Sequence, residues 1–393
     1  MQRLRLLTFV LGAWVLIGTT HAQNIPNSQE QLRRRLPAVL RCSTSWPQAR
    51  GYETLLYDTR SENLLMLGGG AGGGWVSTLP GYGGVWSFSP GSNRWNLLYG
   101  SIPLASTDMF SYDKRSARVI AWVSFAADPN STWILGPIKP ISETWAFDPA
   151  TGEWENRNPA QSPPAGLLGE GAQMVYDDRS GKTIMFGGLS LPLYEQYFES
   201  CDPQGNCDDS LLSQIETNHT WVYDYVANTW TDVSPPALSP PSRNSHALVY
   251  DTAADRVILF GGGDAFVDYN DTWAYNYKKN TWTQLSPATQ PLSRSYGYLA
   301  YDSEHDRIVL FGGVDYTETQ IYGDTWVFNY WDQTWTQLNP KVSPSPRGWF
   351  GMGYSPKANR IVIFGGGTDR DHFTDETWTY RLAPNKRDQV LKP

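Results

Sequence analysis

The chain has 393 residues and a formal net charge of −8, with 18% charged and 14% aromatic residues. That length accommodates two average domains or one large all-β domain, and the apolar content excludes a disordered chain. The negative balance excludes recognition of nucleic acid or anionic membrane by bulk charge.

Residues 1–22 read as a secretory leader. Arg3 and Arg5 supply a short basic region, Leu6 to Ile17 an apolar run, and Thr20-His21-Ala22 the small residues a signal peptidase requires. The run falls short of the roughly 20 apolar residues that span a bilayer, and no later segment is long enough, so no membrane insertion is expected. Losing two arginines takes the formal charge from −8 to −10. Residues 23–46 form an N-terminal segment, 47–385 the folded body and 386–393 a C-terminal tail. The predicted location is extracellular, or periplasmic in a bacterium.

Repeats organise the body. Tyr57, Tyr112, Tyr176, Tyr250, Tyr301 and Tyr354 each end a short apolar run. Eleven residues after all but the second of them comes a double glycine, beginning at Gly68, Gly187, Gly261, Gly312 and Gly365. The second repeat has Val123 and Ser124 instead. Five tryptophan pairs nine residues apart follow, starting at Trp86, Trp145, Trp221, Trp273 and Trp326, and Trp378 starts a sixth. Each repeat therefore reads as four strands, A to D, with A–B and C–D as tight hairpins whose lengths are fixed by turn geometry. The B–C connection varies: Trp273 follows Gly261 by 12 residues, but Trp221 follows Gly187 by 34.

The run, the double glycine and the aromatic–Trp pairs (Phe88 and Trp95, Phe147 and Trp154, Tyr223 and Trp230, Tyr275 and Trp282, Phe328 and Trp335) resemble the kelch repeat. The resemblance covers about residues 47 to 382. It implies an all-β fold, a six-bladed kelch-type β-propeller with four-stranded antiparallel blades. Closing the ring needs a fourth strand in the sixth blade. Ala38–Cys42, at the chain's start, is the preferred candidate for the outer position, and Gln389-Val390-Leu391 is the competitor.

In such a ring the D–A and B–C connections share one face, so all length variation lies there, where binding loops are expected. Seven residues before the strand A tyrosine stand Arg50, Arg243, Arg294 and Arg347, on four consecutive blades. Two residues on are Tyr52, Ser245, Tyr296 and Trp349. Arginines beside aromatics at a pore mouth suit a carboxylate or sulfate and a stacked ring. In kelch adaptors arginines at this position line the partner pocket, while elsewhere in the family they bond backbone carbonyls. His372 joins the candidate face from the blade 6 loop, and Asp264, Asp268 and Asp315 from the loops of blades 4 and 5.

Cys201 and Cys207 bracket a short loop and are expected to form a disulfide in an oxidising compartment. Cys42 is left over, either buried and inert or paired with another chain. Asn130, Asn218 and Asn270 begin glycosylation sequons, relevant only in a eukaryotic host. Nearby Asp202, Asn206, Asp208 and Asp209 lack the spacing of a calcium loop, and no metal or other cofactor is implied. No acid, base and nucleophile converge, so the reading is a secreted binding module for a protein or glycan partner. The alternative is an enzyme acting on acidic sugars, similar to sialic-acid mutarotases or sialidases, with Arg243, Arg294 and Arg347 as a carboxylate clamp. Oligomeric state is left open.

Overall fold

The computed structural model describes residues 46–70, 84–100, 109–128, 130, 138–315, 317, 319–369, 372–382 and 389–391. Six four-stranded antiparallel sheets form, and in each the strands pair in the sequence order A-B-C-D. The chain is thus a six-bladed β-propeller, as the repeats predict.

Blade 4 shows why the repeat folds this way. Its strands are Ala247–Asp251, Arg256–Phe260, Thr272–Asn276 and Thr281–Leu285. Strand B lacks polar alternation because both its faces are covered. Ile258 and Phe260 pack with Ile308 and Leu310 of blade 5, while Val257 and Leu259 pack with Ile184 and Phe186 of blade 3. Strand D is the outer edge and alternates: Trp282 is buried between exposed Thr281 and Thr283.

The strand D tryptophans join the blades. A buried indole N–H needs an acceptor. Four of them find the strand C threonine of the preceding blade: Trp282 donates to Thr220 Oγ1 at 3.0 Å, Trp335 to Thr272 at 3.0 Å, and Trp230 to Thr144 at 2.8 Å. Trp95 of blade 1 donates to Thr377 of blade 6 at 2.9 Å, so the same joint closes the ring. Further bonds cross that seam, among them Gly351 N–H to Glu53 Oε1 at 2.8 Å and Trp46 Nε1–H to the Asp375 carbonyl at 2.8 Å.

The outer strand of blade 6 is Gln389–Leu391, paired with Thr377–Arg381. This corrects the expectation that Ala38–Cys42 fills that position; those residues lie outside the described ones. A connection from Arg381 to Gln389 closes a short local loop, which costs less chain entropy than bringing the two ends of the molecule together. Blade 2 keeps four strands despite lacking the double glycine. Val123 and Ser124 do not enter the left-handed region, and strand B runs on as Arg118–Ala127, with a register shift between Val123 and Phe125.

Two buried titratable groups sit in equivalent strand A positions, four residues before the tyrosine. His246 is sealed beside Phe186, with neither ring nitrogen hydrogen-bonded. Burial and the Arg243 charge push it down to about 3. Glu53 Oε2 has no partner either, and burial pushes this carboxyl up to about 8 against the backbone hydrogen bonds and the Arg50 charge. The stability that neutral His246 leaves intact is fully present above its unfolded value of 6.5 and is lost as pH falls toward 3. The stability that protonated Glu53 leaves intact is fully present below 4.5 and is lost as pH rises toward 8.

Blade 6 carries Phe350 where blade 4 has His246. His246→Phe is therefore expected to raise the melting temperature at pH 5 more than at pH 7.5, and Glu53→Gln to raise it at pH 8.5 but not at pH 4.5. Scanning calorimetry across that range checks both. Deleting residues 386–393 should lower the melting temperature, whereas deleting 23–44 should leave it unchanged.

Candidate functional site

The four arginines are in the predicted place, but they do not face solvent. Arg50, Arg243, Arg294 and Arg347 are at most 2% exposed. A buried guanidinium must have its N–H groups satisfied. Each Nε–H donates to the carbonyl two residues earlier, and each Nη1 donates to the first glycine of its own blade's pair, Gly68, Gly261, Gly312 or Gly365. In blades 4 and 5 a carboxylate completes the set in a two-point grip. Asp271 takes Arg243 at 2.6 and 2.9 Å, and Asp324 takes Arg294 at 2.6 and 2.9 Å. In blade 6 Glu376 takes Arg347 Nη2 at 2.7 Å.

These acids stand immediately before strand C and also accept the indole N–H of Trp273, Trp326 and Trp378. Tyr269 and Tyr322 lie against the Arg243 and Arg294 guanidiniums, each 4.1 Å from ring centroid to Cζ. Burial alone would raise the Asp324 carboxyl, but the Arg294 hydrogen bonds and charge, with the Trp326 N–H, hold it below its ordinary range.

The arginine backbone completes the stitch. The carbonyls of Arg243, Arg294, Arg347 and Arg50 accept the N–H of the second glycine of the preceding blade, Gly188, Gly262, Gly313 and Gly366, at 2.9–3.0 Å. That close approach is why the pair is glycine. A Cβ on Gly261 would sit 2.6 Å from the Arg294 carbonyl oxygen, and one on Gly262 2.5 Å from that of Asn244. These contacts correct the expectation of an arginine arc open to a ligand. The guanidiniums serve the ring, because a buried cation without such partners is not tolerated.

The aromatic candidates do converge. Tyr52, Ser245, Tyr296 and Trp349 all have left-handed backbones, φ 53 to 66, a costly conformation for bulky residues. It turns three rings inward. Tyr296 and Trp349 lie 5.5 Å apart, and Tyr52 lies 6.3 and 6.4 Å from them, with Phe373 at 6.1 Å from Tyr52. Trp349 is fully buried and Tyr296 nearly so, so these rings pack at the loop end of the pore. A cavity of about 300 Å³ runs along the inner strands from Tyr52 and Tyr296 to Lys114, Asp178 and Ser303 near the A–B hairpins.

The histidines do not come together. His372 is exposed, its Nδ1 2.8 Å from Asp369, while His246 is sealed between blades 3 and 4. His305 pairs with Asp302 in an A–B hairpin on the far side. Asp108 and the side chain of Glu170 lie outside the described residues.

Cys201 and Cys207 form the expected disulfide. It closes the loop after a helix, Leu191–Glu199, in the long blade 3 insertion. That insertion has its own small core of Leu191, Tyr194, Tyr197, Leu212 and Ile215, which also takes in Phe125 of blade 2 and Ala265 of blade 4. The Asp202 carboxylate is occupied by Gln204 and Asn206 N–H groups. Asn130 is exposed. The sequons at Asn218 and Asn270 use Thr220 and Thr272, the buried acceptors of Trp282 and Trp335, so the repeat itself accounts for them.

Sequence reasoning missed the apolar side chains of this face. Leu238, Leu292 and Val342 are 52%, 66% and 45% exposed, each on a D–A crossing, and Phe266 and Val267 are exposed at the tip of the blade 4 B–C loop. Prolines flank the crossings: Pro235, Pro236, Pro240 and Pro241 around Leu238, Pro291 before Leu292, Pro340 and Pro344 around Val342. Asp264 accepts the N–H groups of Phe266 and Val267 and the Tyr269 hydroxyl, which fixes the tip. The available signal was apolar residues inside proline-rich connections.

Six blades, with a Trp–Thr bond at four of their junctions among the described residues and a double glycine in five of them, define a repeat propeller that presents variable loops on one face. Its repeats and fold are those of a kelch-type β-propeller. The description "KLHDC2/KLHL20/DRC7 Kelch-repeats domain" matches residues 205–390. A segment of 154 residues, 37% of this chain, is 27% identical to the dynein alpha chain of the flagellar outer arm of Chlamydomonas reinhardtii, and covers 3% of it. Another of 130 residues, 31% of this chain, is 26% identical to Mei4-dependent protein 6 of Schizosaccharomyces pombe, and covers 19% of it. The chain thus spans a small part of these curated relatives. The solved structure titled "Structure of YjhT" superposes with a TM-score of 0.63 at 15% identity, over 89% of this chain and 99% of that one; the likeness is one of fold.

Arg294→Met should lower stability by about 3 kcal/mol, because it strands Asp324 and the Gly312 carbonyl. Adding Asp324→Asn should restore part of that loss. Urea unfolding of the two variants measures both.

Proposed function

We propose that this chain is an exported binding module that captures a protein partner on the loop face around blades 4 and 5. The observation that carries the reading is the set of exposed apolar side chains on stiff supports, Leu238, Leu292 and the Phe266–Val267 tip. Surface held in place before binding loses little entropy on association, and apolar anchors of this kind dominate interface energetics. Export is supported by the apolar leader with its small-residue end and by the Cys201–Cys207 disulfide. No described helix is long and apolar enough to cross a membrane.

An enzyme acting on acidic sugars is the second reading. It needs free guanidiniums at Arg243, Arg294 and Arg347, and their burial against Asp271, Asp324 and Glu376 weighs against it. The same burial weighs against recognition of an acidic glycan by these residues.

A displayed random-peptide library selected on the protein, then counter-selected on Phe266→Ser/Leu292→Ser, tests the reading. Clones that bind the parent and lose at least about tenfold on the variant are expected, the size of one hot-spot contact. Enrichment indifferent to the two substitutions, or turnover of free sialic acids by the parent, would overturn it.

A further inference from the structure

The latch that buries the arginines also sets the electrical sign of the loop face. Arg243, Arg294 and Arg347, themselves buried, spend their charge on Asp271, Asp324 and the more exposed Glu376. Among the described residues of the loops of blades 3 to 6, Lys341 is then the one remaining Lys or Arg. Acids remain in number. Glu199 and Asp209 are exposed on the blade 3 insertion, Asp264 and Asp268 flank the Phe266–Val267 tip, and Asp315 stands in the next loop.

A buried carboxyl at the base of the insertion reports the charge of the neighbouring blade 4 loop. Glu216, at the base of the insertion, is buried against the blade 4 loop, where Asn244 Nδ2 donates to its Oε1 at 3.3 Å. Burial first, then the charge of neighbouring Asp264, pushes this carboxyl up to about 8. That carboxyl is therefore neutral near pH 7, and the negative charge at the tip is carried by Asp264 and Asp268.

We infer that the partner segment is cationic as well as apolar, with Lys or Arg side chains interspersed among hydrophobic residues that seat on Phe266, Val267 and Leu292. This rests on the protein-binding reading above and names the chemistry of its partner. The apolar residues supply affinity through burial, and the acids supply orientation and rate of encounter. An acidic or uncharged segment would meet the acids of the insertion and of the blade 4 and 5 loops without compensation.

Three synthetic peptides of equal length separate the contributions: Lys/Leu amphipathic, Glu/Leu amphipathic, and Lys/Ser. Binding to the full chain by fluorescence anisotropy should be confined to the Lys/Leu peptide. It should weaken several-fold between 50 and 300 mM salt, as the screening length shortens. It should fall about tenfold or more in Phe266→Ser/Leu292→Ser and several-fold in Glu199→Lys/Asp209→Lys, two exposed positions whose replacement leaves the ring intact. Equal binding of the Glu/Leu peptide would overturn the inference on charge, and equal binding of the Lys/Ser peptide would overturn it on apolar seating. Library clones that depend on the Phe266–Leu292 patch but are acidic or uncharged would also defeat it, while leaving the docking face in place. Absence of any patch-dependent clone would instead remove the docking face, and this inference with it.

Discussion

A buried guanidinium that must be satisfied from inside the protein governs the architecture around it. Arg294 shows the whole device. Its side chain holds the first glycine carbonyl of its own blade and the carboxylate before strand C. Its backbone carbonyl takes the second glycine N–H of the blade before it. One residue therefore ties three strands in two blades. A Cβ on Gly261 would strike the Arg294 carbonyl and one on Gly262 the Asn244 carbonyl, so the close backbone approach around this contact requires the double glycine. At the seam, Arg50 and Gly366 repeat the bond between the last blade and the first.

What the latch consumes is as informative as what it holds. Arginines at a pore mouth suggest an anion site, and an acid site is what remains once they are sealed. A cation in a dry interior needs a carboxylate and several carbonyls, and the acid before strand C is already placed there by the C strand register. Blade 1 has Gly84 at that position and blade 3 has His219, so the full arrangement is confined to blades 4, 5 and 6. The loop face is therefore asymmetric, with its rigid and acidic side centred on blades 4 and 5.

Interval counting reaches much of this. Tyr–Gly and Trp–Trp spacings are legible because tight hairpins fix them locally, and Trp282 or Trp335 can be assigned to strand D without knowing what it bonds. The Cys201–Cys207 bridge is legible for the same reason, since the two cysteines stand only six positions apart. Less legible is anything set by the neighbouring blade. The acceptors Thr220 and Thr272 look like parts of glycosylation sequons, and only the ring shows them receiving an indole N–H. The left-handed backbones of Tyr52, Tyr296 and Trp349 are invisible in residue type, since bulky residues avoid that region by themselves.

The sequence by itself determined the number of blades, the order of strands within each and the face on which the loops vary. Those properties follow from short-range turn geometry repeated six times. Tertiary structure decided which chain end completes blade 6, where the arginines point, and which apolar side chains stay uncovered. Those properties depend on groups brought together across blade boundaries, where burial of charge and the fit of backbone against backbone select one arrangement that spacing alone leaves open.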